Sequence, residues 1–330
     1  MEILQIIWFV LLGVLLASFL IFGGFDLGAG IFAGFTRSPQ MRERAMKSIA
    51  PFWDGNQVWL VTAGGALFAA FPKAYSTILS SLYIPIILFL CLLIFRAVSI
   101  EFYLSLEGEK WKSFWSKICM LTSLLSLFVF GVALGALFNG TALPDANKTF
   151  ALVRILNPFS LCAGVLTTIF GVAQGAGYLA LKDENFERIT SARIWIFVLA
   201  ICYLAYIGCF IVYGRINLLP RFIPLGFILA SYIPLSLAMK LIRRGKLKTS
   251  FVLTSLFALL CITAHCLAGY PYIVSPTPDS AGIDIFTASS SLKTLQIMLG
   301  VALVGVPIAV SYFIYAHIVF AEKKRKKMAE

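Results

Sequence analysis

Five ionisable side chains fall inside long apolar stretches of this sequence, and they are the first candidates for chemistry. A charge inside a membrane is costly, so each such residue marks a functional site by default. Asp26 has Gly23 and Gly30 at helical spacing, so another helix can lie against its face. Its carboxylate is expected to be protonated or paired, and a structural hydrogen bond between helices is the alternative. The five residues are Asp26, Asp54, Arg96, His265 and His317.

A second polar group opens the next apolar run. Asp54 follows Trp53 directly, and Asn56 and Gln57 come after one glycine. A cluster of this kind at the entrance of a membrane span is typical of a hydrated path for protons. The alternative is a capping carboxylate at the membrane interface, where the N-terminal helix dipole favours a negative charge.

Arg96 supplies a matching positive charge. We expect it at the end of the third apolar run, with Glu101 five residues later. It either pairs with Asp26 or Asp54, or its side chain reaches the lipid headgroups. Gln174, in the fifth run, is a weaker polar candidate of the same kind.

The two histidines bear on a different kind of site. A membrane protein that binds haem needs axial ligands, usually His or Met facing the interior of the helix bundle. Neither His265 nor His317 has a second histidine at helical spacing, and the chain has no CxxCH motif. The sequence also has no phosphate-binding loop and no zinc-type spacing. We therefore predict no haem ligand and no metal ligand on this chain.

The composition shows what must hold these residues in place. The 330 residues are 60% hydrophobic and 13% charged, with a mean hydropathy of +0.92. A soluble domain is about half apolar and about a quarter charged. The composition therefore excludes a soluble enzyme, a disordered chain and a nucleic-acid binder, although the net charge is +12.

Apolar runs of about 20 residues predict nine membrane-spanning helices. We expect an all-α polytopic membrane protein with a single integral-membrane domain, 1–330. Its parts would be a four-helix bundle at 1–138, a second at 158–270, a peripheral helix at 294–320 and a basic cytoplasmic tail at 321–330. The predicted spans are 3–35, 51–71, 76–98, 114–138, 158–180, 194–213, 222–239, 250–270 and 294–320.

The basic residues predict the orientation of the chain. Most of the 27 Lys and Arg residues lie on alternate connections, at 36–50, 99–117, 181–193, 240–248 and 321–330. Cytoplasmic loops carry the excess of Lys and Arg. The N-terminus is therefore predicted outside and the C-terminus in the cytoplasm, as an odd number of spans requires.

Small residues predict where helices touch. Pairs of glycine four residues apart allow close approach of helix backbones in a membrane. The glycine pairs are Gly24–Gly28, Gly30–Gly34, Gly131–Gly135 and Gly171–Gly175.

The seven cysteines are odd in number, lie inside apolar runs and form no CxxC motif, so we interpret them as reduced packing residues.

Three longer motifs can be matched to a known family. They are Gly24-Phe-Asp-Leu-Gly28, Ala50-Pro-Phe-Trp-Asp-Gly-Asn-Gln-Val-Trp59 and Thr62-Ala-Gly-Gly-Ala-Leu-Phe-Ala-Ala-Phe-Pro72. With them the sequence resembles subunit II of the cytochrome bd-type quinol oxidases, and shorter matches extend nearly to both ends of the chain. The resemblance implies two four-helix bundles and a peripheral ninth helix in a bacterial cytoplasmic membrane.

The resemblance also implies a division of labour between two subunits. Subunit I would carry haems b and d and the sites that oxidise quinol and reduce oxygen. This chain would be its haem-free partner and would provide a proton route from the cytoplasm. Some members of the family also hold a structural quinone, and a small single-helix accessory subunit is a further candidate partner. No nucleic acid is expected among the partners.

Two residues take roles from the family's motifs. Asp54, with Trp53, falls on the Trp-Asp-Gly-Asn signature, whose aspartate is assigned to the proton path, and Asp26 falls on the Gly-Phe-Asp motif. Many relatives have a further aspartate where this chain has Gly23. One candidate carboxylate is therefore missing here, so the entry point of the path is open.

An alternative function is a proton-coupled secondary transporter with a site formed by Asp26, Asp54 and Arg96. Transporter sites often lie near the membrane midplane at broken helices. The charges of this chain are expected toward the cytoplasmic side instead. Together with the resemblance, this placement favours the oxidase subunit.

Overall fold

The computed structural model describes residues 1–142, 153–182, 191–213, 222–277 and 281–327. Helices make up most of the described chain. A π-helical turn, Phe19–Gly23, joins the first two of them into one long rod. The helices are α1 (Glu2–Ser18), α2 (Gly24–Phe35), α3 (Pro39–Ile49), α4 (Trp53–Ala70), α5 (Pro72–Ser81), α6 (Tyr83–Ser105), α7 (Glu109–Phe138), α8 (Pro158–Lys182), α9 (Ala192–Tyr213), α10 (Phe222–Arg243), α11 (Leu247–Gly269), α12 (Ile285–Ala288) and α13 (Leu292–Lys327).

The prediction of an all-α polytopic membrane protein is confirmed. Within the described residues, seven helical segments are long and apolar enough to cross a membrane, the first of them being the α1–α2 rod. The count of nine spans stays a prediction. Helix α4 is present, but its polar start makes it less apolar than the others, and the apolar part of α13, Leu292–Ile308, is shorter.

Two connections contain secondary structure that the hydropathy pattern does not predict. The predicted loop 36–50 contains α3, which begins where Ser38 accepts a hydrogen bond from the Met41 amide and Pro39 occupies the first turn. A short antiparallel pair of strands, β1 (Tyr272–Val274) and β2 (Ile283–Asp284), follows α11. A hydropathy pattern does not detect helix capping or the pairing of short strands, so it predicts neither α3 nor the two strands.

The third span is displaced along the chain from its predicted bounds. The run predicted at 76–98 divides at Leu82 into the short helix α5 and the long helix α6. Because α6 continues to Ser105, Arg96 lies well inside a helix and is fully buried. The expectation that Arg96 ends its span is therefore wrong, and of the two alternatives for its side chain, contact with the lipid headgroups is not supported.

Helix α2 lies at the centre of the fold, packed against both α7 and α8. At Gly28 an added Cβ would lie 1.9 Å from the Gly171 carbonyl oxygen, and at Gly175 it would lie 2.2 Å from the Gly28 carbonyl carbon. Backbone therefore meets backbone with no room for a methyl group. The predicted glycine contacts are confirmed here, while the division into two four-helix bundles stays a prediction.

Ion pairs hold the amphipathic helix α3 against the start of α7. Arg42 Nη1 lies 2.5 Å from Glu109 Oε1, and Lys112 Nζ lies 4.0 Å from Glu43 Oε2. The hydrogen bond from Lys47 holds the pKa of Glu43 below its usual value. The charged connections 36–50 and 99–117 thus contact each other.

The contact between α2 and α8 predicts a strong effect of a single methyl group. Gly28→Ala should lower the yield of assembled protein several-fold, since 1–2 kcal/mol of lost stability changes abundance by about that factor. Gly208→Ala on α9 is the matched control, because no atom lies within 4 Å of the added Cβ. The measurement is the amount of folded protein extracted from membranes. Equal yields of the two variants would contradict the close contact.

Candidate functional site

The candidate site is built by three helices that bring one polar side chain each. Asp26 lies in the first turn of α2, three residues after the π-helical turn. Such turns are frequent at functional sites, because they shift the side-chain register of a helix. Asn56 comes from the first turn of α4 and Arg96 from the middle of α6. All three side chains are buried.

The Asp26 carboxylate joins the other two groups. Its Oδ1 lies 3.0 Å from Arg96 Nη2, and its Oδ2 accepts a hydrogen bond from Asn56 Nδ2 at 2.9 Å. Asp26 is 1% exposed, and both Asn56 and Arg96 are 0% exposed. The charges of Asp26 and Arg96 therefore compensate each other away from solvent. Of the two predicted partners of Arg96, the structure selects Asp26.

Several buried polar atoms in and beside this cluster have no hydrogen-bonding partner within the described part of the chain. Arg96 Nε, Arg96 Nη1, Asn56 Oδ1 and Gln57 Nε2 are buried and have no hydrogen-bonding partner among the described residues. Buried polar atoms in folded proteins are ordinarily bonded to protein or to ordered water. Ordered water beside the ion pair would satisfy the three atoms of Arg96 and Asn56.

More polar side chains extend the cluster in two directions. Cys119 and Ser123 on α7 face Gly30, one turn of helix from Asp26. Tyr178 on α8 packs its ring against Phe25, with ring centroids 4.6 Å apart. Its hydroxyl donates a hydrogen bond of 2.8 Å to the Ser48 carbonyl at the end of α3. Tyr178 thereby connects the surroundings of Asp26 to the connection between α2 and α4.

Asp54 and its neighbours are arranged differently from Asp26. Asp54 is exposed, and its Oδ1 accepts a hydrogen bond of 2.7 Å from the adjacent Gly55 amide. It does not contact the buried ion pair, which Asn56 reaches instead. Phe52 is the N-cap of α4, and no side chain makes a capping hydrogen bond there. Asp54 does lie in the first turn, where the helix dipole favours a negative charge, so the alternative of an interfacial carboxylate stays open. Trp53 is half-buried against the apolar cluster around α3.

The remaining predicted residues lie outside the cluster. Glu101 is exposed on the last turns of α6 and makes no ion pair with another described residue, so the structure does not support it as a charge partner. Gln174 is fully buried and donates a hydrogen bond of 2.8 Å to Ser255, which joins α8 to α11. It therefore connects two helices.

His265 has both ring nitrogens engaged. Its Nδ1 lies 2.6 Å from the Cys261 carbonyl oxygen, which can only accept, and its Nε2 is hydrogen-bonded to the Tyr206 hydroxyl. Nδ1 therefore carries a proton. Neither nitrogen is available as an axial haem ligand in this arrangement. The side chain of His317 lies outside the described residues.

Sequence reasoning missed Tyr178 and Cys119 as members of the site. Each is a single residue of moderate polarity on an apolar helix, and such residues carry no pattern of spacing. Tyr178 does stand at the end of the motif Gly175-Ala-Gly-Tyr178, where small residues precede a large one. That change in residue size is the feature of the sequence that could have indicated Tyr178 as a member of the site.

The buried ion pair predicts a non-additive pair of substitutions. Arg96→Leu alone should cost about 3–5 kcal/mol, because it leaves the Asp26 charge buried and unpaired. The double variant with Asp26→Leu should recover most of that loss, since no lone charge remains. Glu109→Gln is the control, as Glu109 is 57% exposed in its side chain and should cost at most about 1 kcal/mol. The measurement is thermal unfolding of the assembled complex, and additive effects would contradict the pairing.

Comparisons with known proteins agree with this architecture. The family described as "Cytochrome bd terminal oxidase subunit II" matches residues 4–320. Subunit 2 of the cytochrome bd-I ubiquinol oxidase of Escherichia coli K12 is 33% identical, over 94% of this chain and 92% of the relative. Subunit 2 of the cytochrome bd ubiquinol oxidase of Bacillus subtilis 168 is 30% identical, over 97% of each chain.

The fold has a counterpart among solved structures. A chain of the bd oxidase from Geobacillus thermodenitrificans superposes with a TM-score of 0.76, covering 96% of this chain and 98% of that one, at 18% identity. This likeness concerns the fold, and the family rests on the sequence matches. Those matches run over nearly the whole chain, so the chain belongs to the cytochrome bd terminal oxidase subunit II family.

Proposed function

We propose that this chain supplies a proton route from the cytoplasm toward the haem-bearing subunit I. Family membership makes the chain a subunit of a terminal quinol oxidase, a multi-pass protein of a bacterial membrane with a subunit I as its partner. Reduction of oxygen to water consumes protons as well as electrons. In an apolar complex the protons need a polar path, because unpaired charge inside a membrane is costly.

The buried cluster of Asp26, Asn56 and Arg96 is the observation that carries the proposal. A simple structural ion pair would have its remaining donors and acceptors satisfied by neighbouring side chains. Here Arg96 and Asn56 each keep buried polar atoms without a partner among the described residues. Water bound to these atoms would continue the hydrogen-bonded path next to the carboxylate.

Asp54 is proposed as the group that collects protons for this path. It is exposed at the first turn of α4, two residues before Asn56, whose side chain bonds to Asp26. Gln57 adds a buried amide nitrogen without a partner on the same turn. Solvent would then exchange protons with Asp54, and water along the polar face of α4 would connect it to the buried cluster. Since Gly23 carries no carboxylate, Asp54 is the candidate entry point.

The remaining features of the proposal follow the family. Quinol is the proposed electron donor of the complex, and the bd-I and bd relatives are named ubiquinol oxidases. The proposed orientation has the N-terminus outside and the C-terminus in the cytoplasm, and the basic connections support it. A structural quinone and a small single-helix accessory subunit complete the set of proposed cofactors and partners.

The transporter alternative has weaker support. Its site required Asp26, Asp54 and Arg96 to converge, but Asp54 is exposed and does not contact the other two residues. In a site of only Asp26 and Arg96, the two charged groups bind each other and are not available to a substrate. The oxidase subunit is therefore the better interpretation of these residues.

Replacing Asp54 tests the proton route. Asp54→Asn keeps the shape of the side chain but removes the titratable group, and an amide does not relay a proton as a carboxylate does. We expect normal haem content and a clear loss of quinol oxidase turnover per assembled haem. Asp284→Asn is the control, because the half-buried Asp284 also lies at a helix start and caps α12, where Asn serves equally well. Turnover of Asp54→Asn equal to that of the control would contradict the relay.

A spectroscopic test addresses the haem-free assignment. His265→Ala should leave all haem bands of the purified complex in place, since the ring nitrogens bond to Cys261 and Tyr206. The same result is expected for His317→Ala. Loss of one haem signal from a normally assembled complex would show that this chain provides an axial ligand.

A further inference from the structure

Two cysteines of this chain meet across a helix interface. Cys162 lies in the second turn of α8 and Cys209 in the last turns of α9, and they are 47 residues apart in the sequence. Their Sγ atoms are 3.1 Å apart, close enough for one thiol to bond to the other. We propose that Cys162 and Cys209 form a dithiol–disulfide site that joins α8 to α9.

The surrounding side chains hold the two helices in the required register. Phe159, one turn before Cys162, packs against Tyr206 and Phe210, with ring centroids 5.5 Å and 6.2 Å away. All three rings are nearly fully buried. The sulfurs therefore meet because the helices are held together on both sides of Cys209. A disulfide needs an S–S distance of about 2.05 Å, so the sulfurs must approach by roughly 1 Å.

The location of the pair favours oxidation. Cys162 is the fifth residue of α8, and Cys209 is five positions from the end of α9, so both lie ~6 Å from a helix end at a rise of about 1.5 Å per residue. By the proposed orientation, these ends are on the outer side of the membrane, where disulfides persist. Both residues are only partly buried within the chain.

The chemistry is thiol–disulfide exchange with an oxidised dithiol protein as the oxidant. The thiolate of one cysteine attacks a sulfur of the oxidant's disulfide, and one oxidant thiolate leaves. The thiolate of the second cysteine then attacks the mixed disulfide, which forms the Cys162–Cys209 bond and releases the second oxidant thiolate. The chain loses two electrons and two protons, and the oxidant disulfide gains them as two thiols.

The test is oxidation of the intact purified complex. Diamide, an azo compound that accepts two electrons and two protons, is added to the reduced complex. Free thiols are then alkylated, and the peptides are identified by mass spectrometry under non-reducing conditions. We expect a Cys162–Cys209 peptide as the predominant disulfide of the chain, removed by dithiothreitol. The chain treated with diamide after denaturation should give mixed linkages and shows that the reagent is active.

Three variants complete the experiment. Cys162→Ser and Cys209→Ser should each abolish the linked peptide, whereas Cys202→Ser, on the same helix as Cys209 and also partly buried, should leave it unchanged. Recovery of both Cys162 and Cys209 as alkylated thiols from the diamide-treated native complex would overturn the proposal. Linkage of either residue mainly to another cysteine would overturn it as well.

Discussion

The ion pair between Asp26 and Arg96 is the interaction on which the site depends. Neither charge is stable alone in an apolar interior, so each requires the other at hydrogen-bonding distance. Their pairing fixes α2 against α6, and the Asn56 amide brings the start of α4 to the same point. The entry of α4 into the helical assembly is thus specified by a polar contact. Because Asn56 lies two residues beyond Asp54, that contact also sets where the exposed carboxylate is held.

Close backbone packing makes the buried position of Asp26 possible. Gly28 lies two residues beyond Asp26 and contacts Gly171 and Gly175 of α8, while Gly30 leaves space for Cys119 and Ser123 of α7. Bulkier residues at these positions would hold the neighbouring helices away from α2. Bulk solvent would then reach the charges, and they would no longer require each other. The glycines therefore keep the ion pair away from bulk solvent.

The site combines a compensated charge with polar atoms that the protein leaves unbonded. Arg96 uses Nη2 for Asp26 and keeps Nε and Nη1 available, and Asn56 uses its amino group and keeps its carbonyl oxygen. An arrangement selected for stability alone would bond these groups or replace them with apolar ones. Retaining them is consistent with a path in which water and a carboxylate exchange protons.

Much of this protein follows from its sequence alone. Hydropathy and the positions of Lys and Arg indicate the membrane class and the predicted orientation, since both depend on local composition. The motifs around Asp26 and Asp54 indicate the family, and the intramembrane charges identify the candidate residues. Helix boundaries were less predictable, because the capping of α3 and the division at Leu82 depend on local geometry. That is why Arg96 was expected at a helix end and is found in a helix interior.

Only the tertiary structure decides which of these residues meet. The sequence leaves Asp26 and Asp54 as equal candidates for Arg96, and helix packing makes Asp26 the buried partner and Asp54 the exposed one. It also brings Cys162 to Cys209 across 47 residues of sequence, a distance at which spacing carries no information. The physical reason is common to both cases. Composition and periodicity determine that a helix is apolar, whereas the rotation of each helix about its axis is set by contacts with its neighbours.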